Sequence, residues 1–175
     1  MFHKILVAID NSEISQIVFA QALALASAIG AELMLLHVLS SEEEGSSNTP
    51  MIGVEYYPEL VIEIADMQQK QWAAYENRGL EMLRSYAEQA AAAGVMAEFT
   101  QTFGSPGRMI CAMGRTWGAN LIMMGRRGHS GFSEMLLGSV SNYVLHHAPC
   151  SVLAVQGQIP ANLDVAPIQQ AAAIS

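Results

Sequence analysis

Three glycines and a serine stand at a spacing that suits the binding of an anion. In GRRGHSGFSEMLLGS (125–139), Gly125, Gly128 and Gly138 are separated by three and then ten positions, and Ser139 follows the last. Glycine loses more backbone entropy on folding than any other residue, so its repeated use implies positive φ angles or a close backbone approach. A loop of this kind turns successive N–H groups inward as an anion-binding nest. A helix beginning just after Gly138 would aim its free first-turn N–H groups and the positive end of its dipole at the same place. Ser139 and Ser141 add hydroxyl donors, and Arg126, Arg127 and His129 add charge. Asp10, near the start of the chain, suits the opposite task of accepting hydrogen bonds from ribose hydroxyls. Together these groups point to a nucleotide with phosphates.

The commoner chemistries do not fit the spacing. No lysine occurs after Lys70, so the phosphate loop that ends in Gly-Lys-Ser/Thr is absent. No G-x-G-x-x-G follows the first apolar run, which argues against a dinucleotide fold. Ser130 lies in GHSG, without the G-x-S-x-G elbow that exposes a nucleophile. His146, His147 and Cys150 invite a metal, but adjacent residues on a helix point about 100° apart and do not share one ion. His37 sits inside a strand pattern, where a hydrogen-bonded core histidine is the ordinary outcome. Asp10 has an ordinary role open to it too, capping the helix that follows DNSE.

The elements that must position these residues are legible as alternating runs. HKILVAI (3–9) and ELMLLHV (32–38) are short and almost continuously apolar, as in strands buried on both faces. Between them DNSE opens an Ala-rich helix that runs to Ile29 and stops at Gly30. This β-α-β unit predicts a parallel sheet with a right-handed crossover. Residues 40–57 form an acidic, turn-rich insertion, and Pro58–Ala93 is helical in composition, with Gly79 as a joint between two segments. Val95–Phe103 gives a third strand, and a helix opened by Pro106 follows it. Asn120–Gly125 gives a fourth strand ahead of the glycine loop, Ser139–His147 a helix, and Cys150–Val155 a fifth strand. In such open sheets ligands sit beyond the carboxyl ends of the strands, where Asp10 and Gly125 both fall. The expected organisation is one α/β domain over 1–156 and a loosely attached tail over 157–175.

Composition limits the partners. At 175 residues the chain is long enough for one domain with a sizeable core. A net charge of −8 argues against nucleic acid as the main partner. The balance is uneven, because between Gln101 and Cys150 four arginines face one acid, Glu134. Two cysteines make no disulfide framework, and no apolar stretch of about eighteen residues suggests a membrane span. The residues before the Ala-rich run, Asp10 to Glu13, do not suit a signal peptide, so a cytoplasmic location is expected.

ILVAIDNSE, GANLIMMGRRGHSG and LLGSVSNYVLHHAPCSVLAV resemble the universal stress protein family. Its nucleotide-binding branch carries G-x2-G-x9-G-[ST], matched here at Gly125, Gly128, Gly138 and Ser139. The resemblance implies an open, Rossmann-like five-stranded parallel sheet between helices, of the adenine nucleotide alpha hydrolase-like type. It implies that ATP, or AMP or ADP, is held by backbone groups at Val38, by Asp10 at the ribose, and by the glycine loop at the phosphates. With neighbouring positions, the expected site is Ala8, Ile9, Asp10, His37, Val38, Met124, Gly125, Arg126, Arg127, Gly128, His129, Gly138, Ser139, Val140 and Ser141. Mg²⁺ or Mn²⁺ would accompany the phosphates, and a homodimer would form through the last strand, Ser151–Val155. The expectation is a nucleotide-dependent regulatory protein of the stress response. The alternative is a slow ATPase or self-phosphorylating enzyme with Ser139 or Ser141 as acceptor.

Overall fold

The computed structural model describes residues 2–40, 58–126 and 137–157, with the side chains of 58–60 left out. Nine elements alternate: β1 (Lys4–Ile9), α1 (Glu13–Ile29), β2 (Glu32–Leu39), α2 (Pro58–Ala92), β3 (Ala97–Phe103), α3 (Pro106–Trp117), β4 (Leu121–Gly125), α4 (Ser139–His147) and β5 (Ser151–Val155). The strands form one sheet in the order β3-β2-β1-β4-β5. Every pairing is parallel.

The continuous apolar runs follow from burial on both faces. Ile5, Val7 and Ile9 join Leu33 and Leu35 in a core under α1 and α2, which contribute Val18, Ala22, Leu83 and Ala90. Leu6, Leu36, Val38 and Ile122 point the other way, against Ile110 of α3 and Val144 of α4. Each fully buried aliphatic side chain stabilises the fold by about 1.5–3 kcal/mol relative to exposure. The helices stop where the sequence indicates: Gly30 ends α1 with φ 68° and Gly118 ends α3 with φ 75°, the left-handed conformation that glycine adopts without strain.

Three differences from the sequence reading have physical causes. The third strand starts at Ala97 rather than Val95, because Val95 N–H donates to Ala90 O in the turn that closes α2. The fourth starts at Leu121, and the Asn120 side chain instead accepts the N–H groups of His3 and Lys4, each at 3.1 Å. Gly79 is no joint, since α2 runs unbroken through it. A Cβ there would lie 2.5 Å from His37 Nδ1 and closer still to Gln101 Oε1, so the missing side chain lets α2 press onto β2 and β3.

Candidate functional site

The sheet order reverses at β1, which has β2 on one side and β4 on the other. At the carboxyl end β1 and β4 part. Their paired positions stop at Val7–Met123, whereas β4 and β5 stay paired to Gly125–Val155. The N–H of Asp10 turns away from the ladder and donates to Ser15 Oγ at 2.9 Å. This divergence opens a crevice at the topological switch point, where open α/β sheets take their ligands.

Asp10 forms one wall. Its Oδ1 accepts the N–H of Ser12 at 3.0 Å, the hydroxyl of Ser15 at 2.6 Å and the hydroxyl of Ser12. Ser12, not Asp10, is the N-cap of α1, and no side chain caps it; Asp10 instead braces the turn ahead of the helix, with these bonds gathered on one oxygen. Tyr86 of α2 senses the result. Burial pushes its hydroxyl above the ordinary value, and the Asp10 carboxylate raises it further. Sequence reasoning did not single out Ser12, Ser15 or Tyr86. The signal for the serines was present, a carboxylate followed by hydroxyls at the second and fifth positions.

The facing wall is the junction of β4 and α4. The Arg126 carbonyl accepts the N–H of Gly138 at 3.1 Å and the hydroxyl of Ser141 at 2.7 Å. Ser141 Oγ also lies 3.0 Å from Gly138 O. These bonds hold the end of β4 against the first turn of α4, whose early N–H groups have no intrahelical acceptor. The Arg126 N–H donates to Val155 O at 2.8 Å, and its guanidinium reaches Gln156 Oε1 at 3.0 Å. Gly138, Ser139 and Val140 sit at the mouth, and Ser139 is exposed. Ser141, expected as a phosphate donor, is 2% exposed and turned to the Arg126 carbonyl, so its role here is to fasten the wall. Arg127, Gly128 and His129 lie outside the described residues.

The end of β2 supplies peptide groups. Glu32 N–H donates to His3 O and Leu33 N–H to Met96 O, which sets the alternation along the strand. Even-numbered residues of β2 therefore face β1, and odd-numbered ones face β3. Val38 is even, and β1 pairs no further than Ile9–His37, so its carbonyl faces the side on which β1 has ended. The His37 side chain does not share that edge. It is fully buried beneath α2, with Nδ1 2.9 Å from Gln101 Oε1 and its ring edge-on to Tyr75. His37 is a core histidine, and only its backbone borders the crevice. Ala8, Ile9, Met124 and Gly125 line the same carboxyl end from β1 and β4. Among the described residues, no three His, Cys, Asp or Glu side chains gather as a metal cluster.

The comparisons with known proteins agree with this architecture. The profile of the universal stress protein family matches residues 1–156. The chain belongs to the universal stress protein family. It is 37% identical over 155 residues to universal stress protein Sll1388 of Synechocystis sp., covering 89% of this chain and 98% of that one. To universal stress protein YxiE of Bacillus subtilis it is 39% identical over 157 residues, covering 89% and 100%. Among solved structures, the hypothetical protein MJ0577 superposes with a TM-score of 0.70 at 21% identity, covering 91% of this chain and 99% of that one. A universal stress protein in complex with cAMP gives 0.60 at 21% identity, covering 89% and 97%. A family protein of Arabidopsis thaliana with AMP bound gives 0.59 at 22% identity, covering 91% and 97%. These structural likenesses show a shared Rossmann-like α/β fold. No helix among the described residues is long and apolar enough to cross a membrane.

Proposed function

We propose that the crevice between β1 and β4 binds an adenine nucleotide, ATP in the first instance, and that the protein is a nucleotide-dependent regulatory homodimer. The observation that carries this reading is the parting of β1 and β4 after Val7–Met123, with Asp10 on one side and the Arg126–Gly138–Ser141 junction on the other. The adenine meets the Val38 peptide, the ribose hydroxyls meet Asp10, and the phosphates meet the first turn of α4 and the glycine loop. AMP and cAMP in family structures support an adenine ligand. A Mg²⁺ or Mn²⁺ ion would be held chiefly by the phosphates, because the described residues build no ligand cluster of their own.

Regulation rather than turnover is favoured by the engagement of two of the candidate groups, Asp10 and Ser141, while Ser139 stays exposed. Phosphoryl transfer needs a group that orients the nucleophile. The Oδ1 of Asp10 is taken by Ser12 and Ser15, and the hydroxyl of Ser141 by Arg126 O. The dimer reading rests on β5, an edge strand that pairs only with β4 and exposes Ser151 and Leu153. Such an edge is a template for a second strand. The test is a thermal-shift series with ATP, ADP, AMP and cAMP, run beside a phosphate-release assay. Stabilisation by ATP without phosphate release is the expected result. Release at a rate abolished by Asp10→Ala would replace the regulatory reading with an ATPase, and no shift with any nucleotide would remove the ligand.

A further inference from the structure

A second cleft, of about 610 Å³, lies at the β3 edge of the sheet, between β3 and α2. Its size falls in the range of about 300–1,000 Å³ typical of small-molecule sites. Trp72, Phe99 and Phe103 line it with Leu39 and Leu80, and Glu76 is the one charged side chain among its described lining residues. The rings of Trp72 and Phe103 meet at 75° with centroids 5.7 Å apart, so two aromatic walls stand nearly perpendicular. Phe103 is 63% exposed, a costly placement for a phenyl group. The floor is fixed. The Gln101 side chain donates to Glu76 O at 3.1 Å and meets His37 Nδ1 at 2.9 Å, which ties β3 to both α2 and β2.

Charge decides what such a cleft would take. Among the described side chains of α2 and β3, which supply all of its lining but Leu39, six carboxylates stand against three basic groups. Aromatic faces attract cations through the ring quadrupole, and a neighbouring carboxylate strengthens the attraction. We infer that the β3–α2 cleft binds a small organic ammonium ion, with the cation in the corner formed by Trp72 and Phe103 and its charge balanced by Glu76. The site is separate from the β1–β4 crevice and independent of whether that crevice holds a nucleotide.

Choline and its uncharged isostere 3,3-dimethyl-1-butanol test this on the full chain, read by the NMR shift of the Trp72 indole N–H. Trp117 serves as the internal control, because it packs against Lys4 on another part of the surface. The expected result is a saturable shift of Trp72 with choline, none with the isostere, and no movement of Trp117. Phe103→Leu should weaken the binding about three- to thirtyfold. Glu76→Gln should weaken it by a smaller factor that shrinks as salt is added. Circular dichroism checks that the two substitutions, both at exposed positions, leave the fold intact. A Trp72 signal that choline does not move, that the isostere moves equally, or that titrates alike in both variants would overturn the assignment.

Discussion

The two clefts at the carboxyl end of the sheet are built in opposite ways. The β1–β4 crevice is made mainly of peptide groups: the diverging ends of β1 and β4, the Val38 peptide, and the first turn of α4. Its side chains, Ser12, Ser15 and Ser141, hold that backbone in position. The β3–α2 cleft is made of side chains, Trp72 and Glu76 of α2 beside Phe99 and Phe103 of β3. Charge follows the same division. The segment from Gln101 to Cys150 is basic, and the segment from Glu32 to Phe103 is strongly acidic. A site made of backbone suits an anion and tolerates change in side chains, whereas one made of rings is lost with a single ring.

The sharpest way to break the comparison is at Gly79. Gly79→Val would drive methyl groups into His37 and Gln101, prising α2 from β2 and β3. Overpacking of this kind costs about 1–3 kcal/mol. Chemical denaturation should show that loss, the β3–α2 cleft should disappear, and nucleotide binding should survive in the folded fraction. Loss of nucleotide binding to the same extent would show that the two clefts are one structural unit.

Asp10→Ala acts on the other region. It removes the acceptor of Ser12 and Ser15 at the start of α1, and each such hydrogen bond contributes about 0.5–1.5 kcal/mol net. Thermal unfolding should register this loss, and the Tyr86 hydroxyl should titrate closer to its ordinary range once the neighbouring carboxylate is gone. An unmoved Tyr86 titration would place Asp10 too far from α2 to belong to this wall. Ser141→Ala is milder. A buried hydroxyl bond is worth about 1 kcal/mol, and its loss should loosen the Arg126–Gly138 junction, weakening nucleotide binding more than stability. Equal binding by this variant would mean that the junction does not shape the phosphate wall.

The first region was far more legible in the sequence than the second, for a physical reason. Backbone sites need glycine at fixed intervals, and these leave a linear trace, as Gly125, Gly128 and Gly138 do. The five strands and the burial of β1 and β2 on both faces also followed from the apolar runs, since burial on two faces suppresses the alternation of a half-exposed strand. The β3–α2 cleft left no such trace. Leu39, Trp72 and Phe103 are far apart in the chain and meet only when α2 lies across β2 and β3. Gly79 was misread for the same cause, because a helical glycine looks alike in sequence whether it bends the helix or lets another surface approach. Ser141 looked like a ligand donor because its spacing from Gly138 suits that role equally well.

The smallest effect concerns pH and rests chiefly on two cysteines outside both sites. Burial raises the thiols of Cys111 and Cys150 above their ordinary value of 9.0, and it raises Tyr86 above 10.0. The unfolded chain therefore loses these protons first as pH rises, so the stability they contribute is present below about pH 9 and lost above it. Melting temperatures measured from pH 7 upward should fall along this alkaline limb, and Cys111→Ala should flatten its beginning. A limb of the same shape without Cys111 would assign it to other groups.

The account turns most directly on calorimetric titration of ATP with Mg²⁺ into the wild type and into Gly128→Val/Gly138→Val. It predicts saturable heat in the wild type and its loss in the double variant, whose circular dichroism stays that of the folded domain. The same heat from both proteins, or none from the wild type, would contradict a backbone-built nucleotide site at the switch point.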